Sequence, residues 1–152
     1  MTGVDTSFVE VSFALQQEDD WPPVAVEWLP CTRQRDGYRV ESPPLFVKGL
    51  SCGDVLSLEK DEHGHVSSWS YVRRSDRTTI WLGRIGRTDQ IDPLLAKLRA
   101  LNCNTVDLAE YGRYSIDVPA QCPIDAVDAL LATLDETKVA VVFPSFRHPE
   151  SS

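Results

Sequence analysis

Residues 77–143 read RTTIWLGRIGRTDQIDPLLAKLRALNCNTVDLAEYGRYSIDVPAQCPIDAVDALLATLDETKVAVVF, and the hydrophobic period changes repeatedly along this stretch. Thr78 to Ile85 is β-branched and aromatic, which predicts a strand with Ile80, Leu82 and Ile85 facing inward. Asp92-Pro93 then signals a helix start, an acidic N-cap followed by proline at the first helical position. Ile91, Leu94, Leu95, Leu98 and Leu101 follow at helical spacing, and Asn102 can end the helix in a left-handed conformation. Thr105 to Glu110 and Tyr114 to Val118 read as strands joined by a turn at Gly112-Arg113. Pro123 opens a second helix with apolar positions Ile124, Val127, Leu130, Leu131 and Leu134. Val139 to Phe143 is a last strand, stopped by Pro144, and the tail to Ser152 is polar with a loose end. The order β-α-β-β-α-β predicts the split unit of ferredoxin-like folds for residues 77–152.

Upstream, residues 1–76 read as short strands. Ser7 to Leu15 places Val9, Val11 and Phe13 on one face. Val24 to Leu29 alternates Val24, Val26 and Trp28 against Ala25, Glu27 and Leu29, after a Trp21-Pro22-Pro23 entry that cannot be helical. Arg35-Asp36-Gly37-Tyr38 signals an Asp-Gly hairpin, and Tyr38 to Glu41 then runs into Pro43-Pro44. Asp54 to Glu59 and Val66 to Arg74 are further strands, separated by a turn at His63-Gly64-His65. Short strands at this spacing predict a small twisted sheet closing toward a barrel, so the whole chain is α+β.

The chain has 152 residues and a formal net charge of −8, with 42% hydrophobic and 25% charged residues, an ordinary globular composition. The charge is uneven: −6 before Arg33, where there is no Lys or Arg, +2 from Arg33 to Gly86, and −4 from Arg87 onward. That balance disfavours direct nucleic-acid binding by the chain as a whole. Met1 to Asp5 lacks the start of a secretory signal and no apolar run could span a bilayer, so a cytoplasmic protein with no membrane partner is expected. Cys31, Cys52, Cys103 and Cys122 form no Cys-x-x-Cys pair and are expected to be buried free thiols.

Asp20-Trp21-Pro22-Pro23-Val24 with Glu27, Gly37-Tyr38-Arg39-Val40, Pro44-Leu45-Phe46-Val47-Lys48-Gly49-Leu50 and Gly53-Asp54-Val55 together resemble an uncharacterised bacterial family, domain of unknown function 4265, over roughly Val9 to Val142. Gly53-Asp54 entering a strand is also similar to the turn of cradle-loop barrels. The resemblance implies a bacterial source and a family fold. It carries no activity and no catalytic residue.

No catalytic set assembles from the sequence. Cys52 with Gly53-Asp54 and a downstream His63 or His65 is the only nucleophile combination, and a buried cysteine is the better account. Asp61-Glu62-His63-Gly64-His65 has metal-binding residue types, but a polar turn with solvated histidines explains it more simply, so neither metal nor cofactor is expected. Gly83-Arg84-Ile85-Gly86 lacks the Lys-Ser/Thr ending of a phosphate loop. Arg73, Arg74, Arg77, Arg84 and Arg87 with Trp69, Tyr71 and Trp81 could form a stacking surface for RNA, although strand alternation favours solvated arginines over a packed aromatic layer.

The acidic features give the sharper expectation. Glu18, Asp19 and Asp20 precede Trp21 on a proline-stiffened loop. Asp125 and Asp128, with Asp135 and Glu136, fall on the polar side of the second helix, and Asp107, Glu110 and Asp117 on or near adjoining strands. Solvated faces are the default for such residues. The functional expectation is a non-enzymatic binding module whose carboxylates meet a basic partner, with Glu18, Asp19, Asp20, Trp21, Asp125 and Asp128 as contacts. Its most concrete form is a bacterial immunity protein that occludes the active site of a toxin attacking nucleic acid, a nuclease or deaminase. The alternative is a small regulatory protein that binds a ligand or RNA, or dimerises, through its ferredoxin-like half.

Overall fold

A computed structural model describes residues 8–149. The expectations for Met1–Asp5, for a strand start at Ser7 and for the last residues of the tail, 150–152, lie outside the described residues. The chain divides into two compact units, Met1–Ser75 and Asp76–Ser152. Among the described residues they hold two sheets, of five and four strands, and two α-helices, an α+β protein. Among the described residues no helix is long and apolar enough to cross a membrane.

The first unit contains β1 (Phe8–Ala14), β2 (Val26–Gln34), β3 (Gly37–Val40), β4 (Val55–Lys60) and β5 (Val66–Arg73), each bonded to the next and β5 back to β1. The returning contact is the single parallel pair Phe13 with Val66. Irregularities in the β4–β5 ladder at Val55/Leu56 and Glu59/Lys60 bend the strands toward that closure. Val11, Phe13, Leu29, Cys31, Val40, Leu56 and Val66 point inward, joined by Val47 and Leu50 from the long β3–β4 connection.

Three local expectations change here. β2 begins at Val26, not Val24, and its inward set is Glu27, Leu29 and Cys31, with Trp28 turned out. The strand also continues through Pro30. Its carbonyl accepts from Glu41 N (2.9 Å), so the proline nitrogen faces that side, one residue beyond the last β2–β3 pair, and the β1–β2 ladder loses no bond. In the β2–β3 hairpin, Gln34 pairs with Gly37 and the turn is Arg35-Asp36, not Asp-Gly. Gly37 is required for space: a Cβ there would lie 2.3 Å from the Leu56 carbonyl oxygen.

The second unit contains β6 (Thr78–Arg84), α1 (Ile91–Ala100), β7 (Asn104–Leu108), β8 (Arg113–Val118), α2 (Ile124–Leu131) and β9 (Val139–Ser145). The sheet order is β7-β8-β6-β9, antiparallel throughout. Ile91, Leu94, Leu95 and Leu98 of α1 and Val127 and Leu131 of α2 pack on Ile80, Leu82, Tyr114, Ile116 and Val118 of the sheet. Asn102 is left-handed at φ 72°, as its position after α1 predicts.

The helix start differs from the Asp92-Pro93 expectation. α1 opens at Ile91, already buried, after Gln90, whose side chain bonds Asp135 N (3.0 Å) and Thr133 O (3.3 Å). Pro93 is tolerated inside the first turn because the N–H groups there have no intrahelical acceptor. Ile85 is 65% exposed rather than inward, since β6 stops at Arg84. β7 stops at Leu108, and Ala109–Tyr111 forms a 3-10 turn ending on left-handed Gly112. Leu134 is buried but lies beyond the end of α2.

Candidate functional site

β1 and β2 form one long hairpin, paired from Phe8 with Thr32 to Ala14 with Val26 and extended by a bond from Leu15 N to Ala25 O (2.8 Å). At its tip Glu18 and Trp21 exchange backbone hydrogen bonds of 2.8 and 2.9 Å. Asp19 (φ 52°) and Asp20 (φ 63°) fill the two central positions in left-handed conformation. Aspartate tolerates that region better than most residues, because its short polar side chain can bond locally. Glu18, Asp19 and Asp20 are all exposed and form no ion pair among the described residues. Trp21 is 48% exposed and set edge-to-face against Phe46 at 6.0 Å, so it is a positioned side chain rather than a waving one.

Asp125 and Asp128 lie exposed on α2, with Asp125 in the first turn where the helix dipole favours a carboxylate. Asp135 bonds the side chain and backbone N–H of Thr137, which holds its carboxyl below the usual range.

Other acids are structural, which the sequence did not reveal. Glu27 is buried and accepts from the backbone N–H groups of Leu45, Phe46 and Val47 at 2.6, 2.9 and 3.0 Å. Buried Asp54 accepts from Ser51 N (2.9 Å) and Ser75 N (2.8 Å). Asp117, expected near a solvated face, has no exposed surface; Arg77 grips it with two hydrogen bonds and Asn104 Nδ2 adds a third at 2.8 Å.

The arginine cluster is largely engaged. Arg73 pairs with Asp36 (2.6 Å), whose carboxyl that bond holds low, and Arg74 lies 4.6 Å from the Tyr71 ring centre. Arg84 donates to Ala109 O (3.2 Å), and Trp81 is buried beneath the Arg113 guanidinium. An RNA surface would need these rings and cations facing solvent together.

The histidine cluster is a turn. Asp61 Oδ1 accepts from the backbone N–H groups of His65 (3.0 Å) and His63 (2.9 Å), which lowers its pKa. The His65 ring turns instead to Ser12 Oγ, 2.7 Å from Nδ1. His63 is exposed beside Glu62. Among the described residues no three His, Cys, Asp or Glu side chains converge as metal ligands would.

A second hydroxyl–imidazole pair, Thr78 Oγ1 and His148 Nδ1 at 2.6 Å, has a geometry that nucleophilic catalysis could use, with Pro119 O 2.8 Å from the other ring nitrogen. Both residues are buried, and Thr78 Oγ1 also accepts from Arg147 N (2.9 Å) and His148 N (3.2 Å). This arrangement ties the chain end to β6. Cys31 and Cys103 are inert at neutral pH: burial pushes both thiols up to about 12, Cys103 with help from Cys122, whose sulfur is 4.0 Å away. Cys52 is half-buried and its carbonyl accepts from Ser75 Oγ (2.7 Å).

An α+β chain of a five-stranded ring and a helix-covered four-stranded sheet, with an acidic hairpin tip, is the class of protein thus defined. The chain belongs to the family described as Domain of unknown function (DUF4265), whose sequence profile matches residues 27–141. Its fold is similar to a structure described as a novel crystal structure of a hypothetical protein from Neisseria gonorrhoeae. The TM-score is 0.70 at 16% identity, over 95% of this chain and 97% of that one. No curated protein matches.

Proposed function

We propose that this chain is a non-enzymatic acidic binding module, in its most concrete form a cytoplasmic bacterial immunity protein. It would neutralise a nuclease or deaminase toxin by covering its active site. The observation that carries this reading is the hairpin tip: three exposed carboxylates and a positioned, half-exposed Trp21 on one tight turn. A toxin that cuts or edits nucleic acid must present Arg and Lys to phosphates. Carboxylates in that groove compete with the substrate, and an aromatic anchor slows dissociation. Asp125 and Asp128 supply a second acidic strip of the same chemistry.

The test is co-purification with the toxin domain encoded beside this gene, followed by stopped-flow association with Glu18→Gln, Asp19→Asn and Asp20→Asn combined. Asparagine keeps the left-handed turn accessible, so charge alone changes. Association is expected to slow about tenfold at low salt and to lose much of its salt dependence. An adjacent toxin domain that does not bind, or binds at an unchanged rate, overturns the reading.

A second reading has its own observation. β9 is a sheet edge, and Val142, Phe143 and Phe146 on and just past it are exposed, the two rings packed edge-to-face at 5.7 Å. The sheet order supports a ferredoxin-like half, and such an edge suits strand-to-strand dimerisation. Sedimentation at high salt separates the two readings: a salt-insensitive dimer favours this one.

A further inference from the structure

The outward face of the β1–β2 hairpin carries two large aromatic residues in solvent, Phe8 at 68% and Trp28 at 59% exposure. Strand alternation places Phe8, Glu10 and Ser12 on the face opposite the inward Val9, Val11 and Phe13. In the register Phe8 faces Thr32, Glu10 faces Pro30 and Ser12 faces Trp28. Glu10 and Trp28 are therefore diagonal neighbours on one surface, within reach of a shared ligand. Phe8 lies on the other side of Glu10.

Trp28 is held in place. It stands edge-to-face with the His65 ring at 6.4 Å, and that ring is bonded to Ser12, the cross-strand partner of Trp28. An exposed indole already fixed by its neighbours loses little freedom on binding. Glu10 is exposed and forms no ion pair among the described residues.

We propose that Glu10 and Trp28, flanked by Phe8, form a seat for an arginine side chain presented by a protein partner. The carboxylate takes the guanidinium by paired hydrogen bonds while the planar cation lies against the indole. Lysine, a compact and strongly hydrated charge, gains less from both contacts. The proposal rests on the basic-partner reading above and adds to it a second contact surface on the same hairpin, with a chemical preference.

The test is an NMR titration of the full chain with nona-arginine and, separately, nona-lysine. The expected result is movement of the Trp28 indole and Glu10 amide signals, with arginine binding at least about threefold tighter than lysine. Trp28→Ala and Glu10→Gln should each abolish that preference. Glu10→Gln leaves the aromatic contacts intact and so serves if Trp28→Ala perturbs the hairpin. Signals moving only at Glu18–Asp20 or on α2 would overturn the seat and leave the acidic-surface reading standing. No movement at Trp28 with either peptide at millimolar concentration, or equal affinity for both, would also overturn it.

Discussion

The four-stranded sheet within residues 76–149 is closed over by two helices, and the five-stranded ring within residues 8–75 by an irregular connection. In the first case Leu94, Leu98, Val127 and Leu131 fill the space above Ile80, Leu82 and Ile116, and the helices satisfy their own backbone. In the second, Val47 and Leu50 enter the core from a segment without regular structure, so its backbone polar groups need partners from elsewhere. Glu27 and Asp54 provide them. The helix layer that covers one sheet needs no such carboxylates, while the connection that covers the ring depends on two of them. A buried polar network is worth most when every member is satisfied, and loses most when one member is removed.

Glu27→Ala probes that contrast most strongly. It leaves three N–H groups, two of them well buried, without their acceptor, and a loss of roughly 4 kcal/mol is expected from the cost of unsatisfied buried donors. Denaturant unfolding measures the loss, and hydrogen exchange at the Leu45, Phe46 and Val47 amides localises it. Leu98→Ala is the matched change in the other unit, removing a fully buried side chain from α1. Its expected cost is about 3 kcal/mol, from lost burial and the cavity left behind. The contrast breaks if Glu27→Ala costs less than about 1 kcal/mol, or if its exchange effect is no larger at residues 45–47 than across the ring.

This contrast also decides what was legible beforehand. The two helices, the left-handed stop at Asn102 and the inward Val11, Phe13, Ile80 and Leu82 follow from local periods, whereas the Asp92 cap and an inward Ile85 do not: α1 opens at Ile91 and β6 ends before Ile85. The inside of β2 does not follow either. Hydropathy ranks Trp28 above Glu27, and the carboxylate goes inward only because its donors stand 18 to 20 residues later in the chain. For the same reason the alternation Val24, Val26, Trp28 does not mark Trp28 as an exposed side chain. The exposed carboxylates before Trp21 follow from the sequence, because charge and a proline-stiffened loop are local. The Ser12–His65 contact does not, since it spans 53 residues. Nor does the burial of Asp117, which needs Arg77 and Asn104 brought to it by strand pairing.

At high pH the two units should cease to differ. Cys31 is 1% exposed in the ring and Cys103 is 4% exposed under the helices, and burial raises each thiol from 9.0 to about 12. The unfolded chain releases these protons first. Between pH 9 and 12 the folded state therefore binds more protons than the unfolded one, and stability falls as pH rises. By pH 10, one unit above the unfolded value, each thiol is expected to account for roughly 1 kcal/mol of lost stability. Tyrosines and lysines titrate in the same range, so the measurement is a difference: urea midpoints from pH 8 to 11 for the natural chain, Cys31→Ala and Cys103→Ala. Each variant should show a shallower alkaline fall, by a similar amount, whatever its cost at pH 8. Equal slopes in all three would mean that water reaches these sulfurs in the folded state, and that neither core excludes charge as its packing implies.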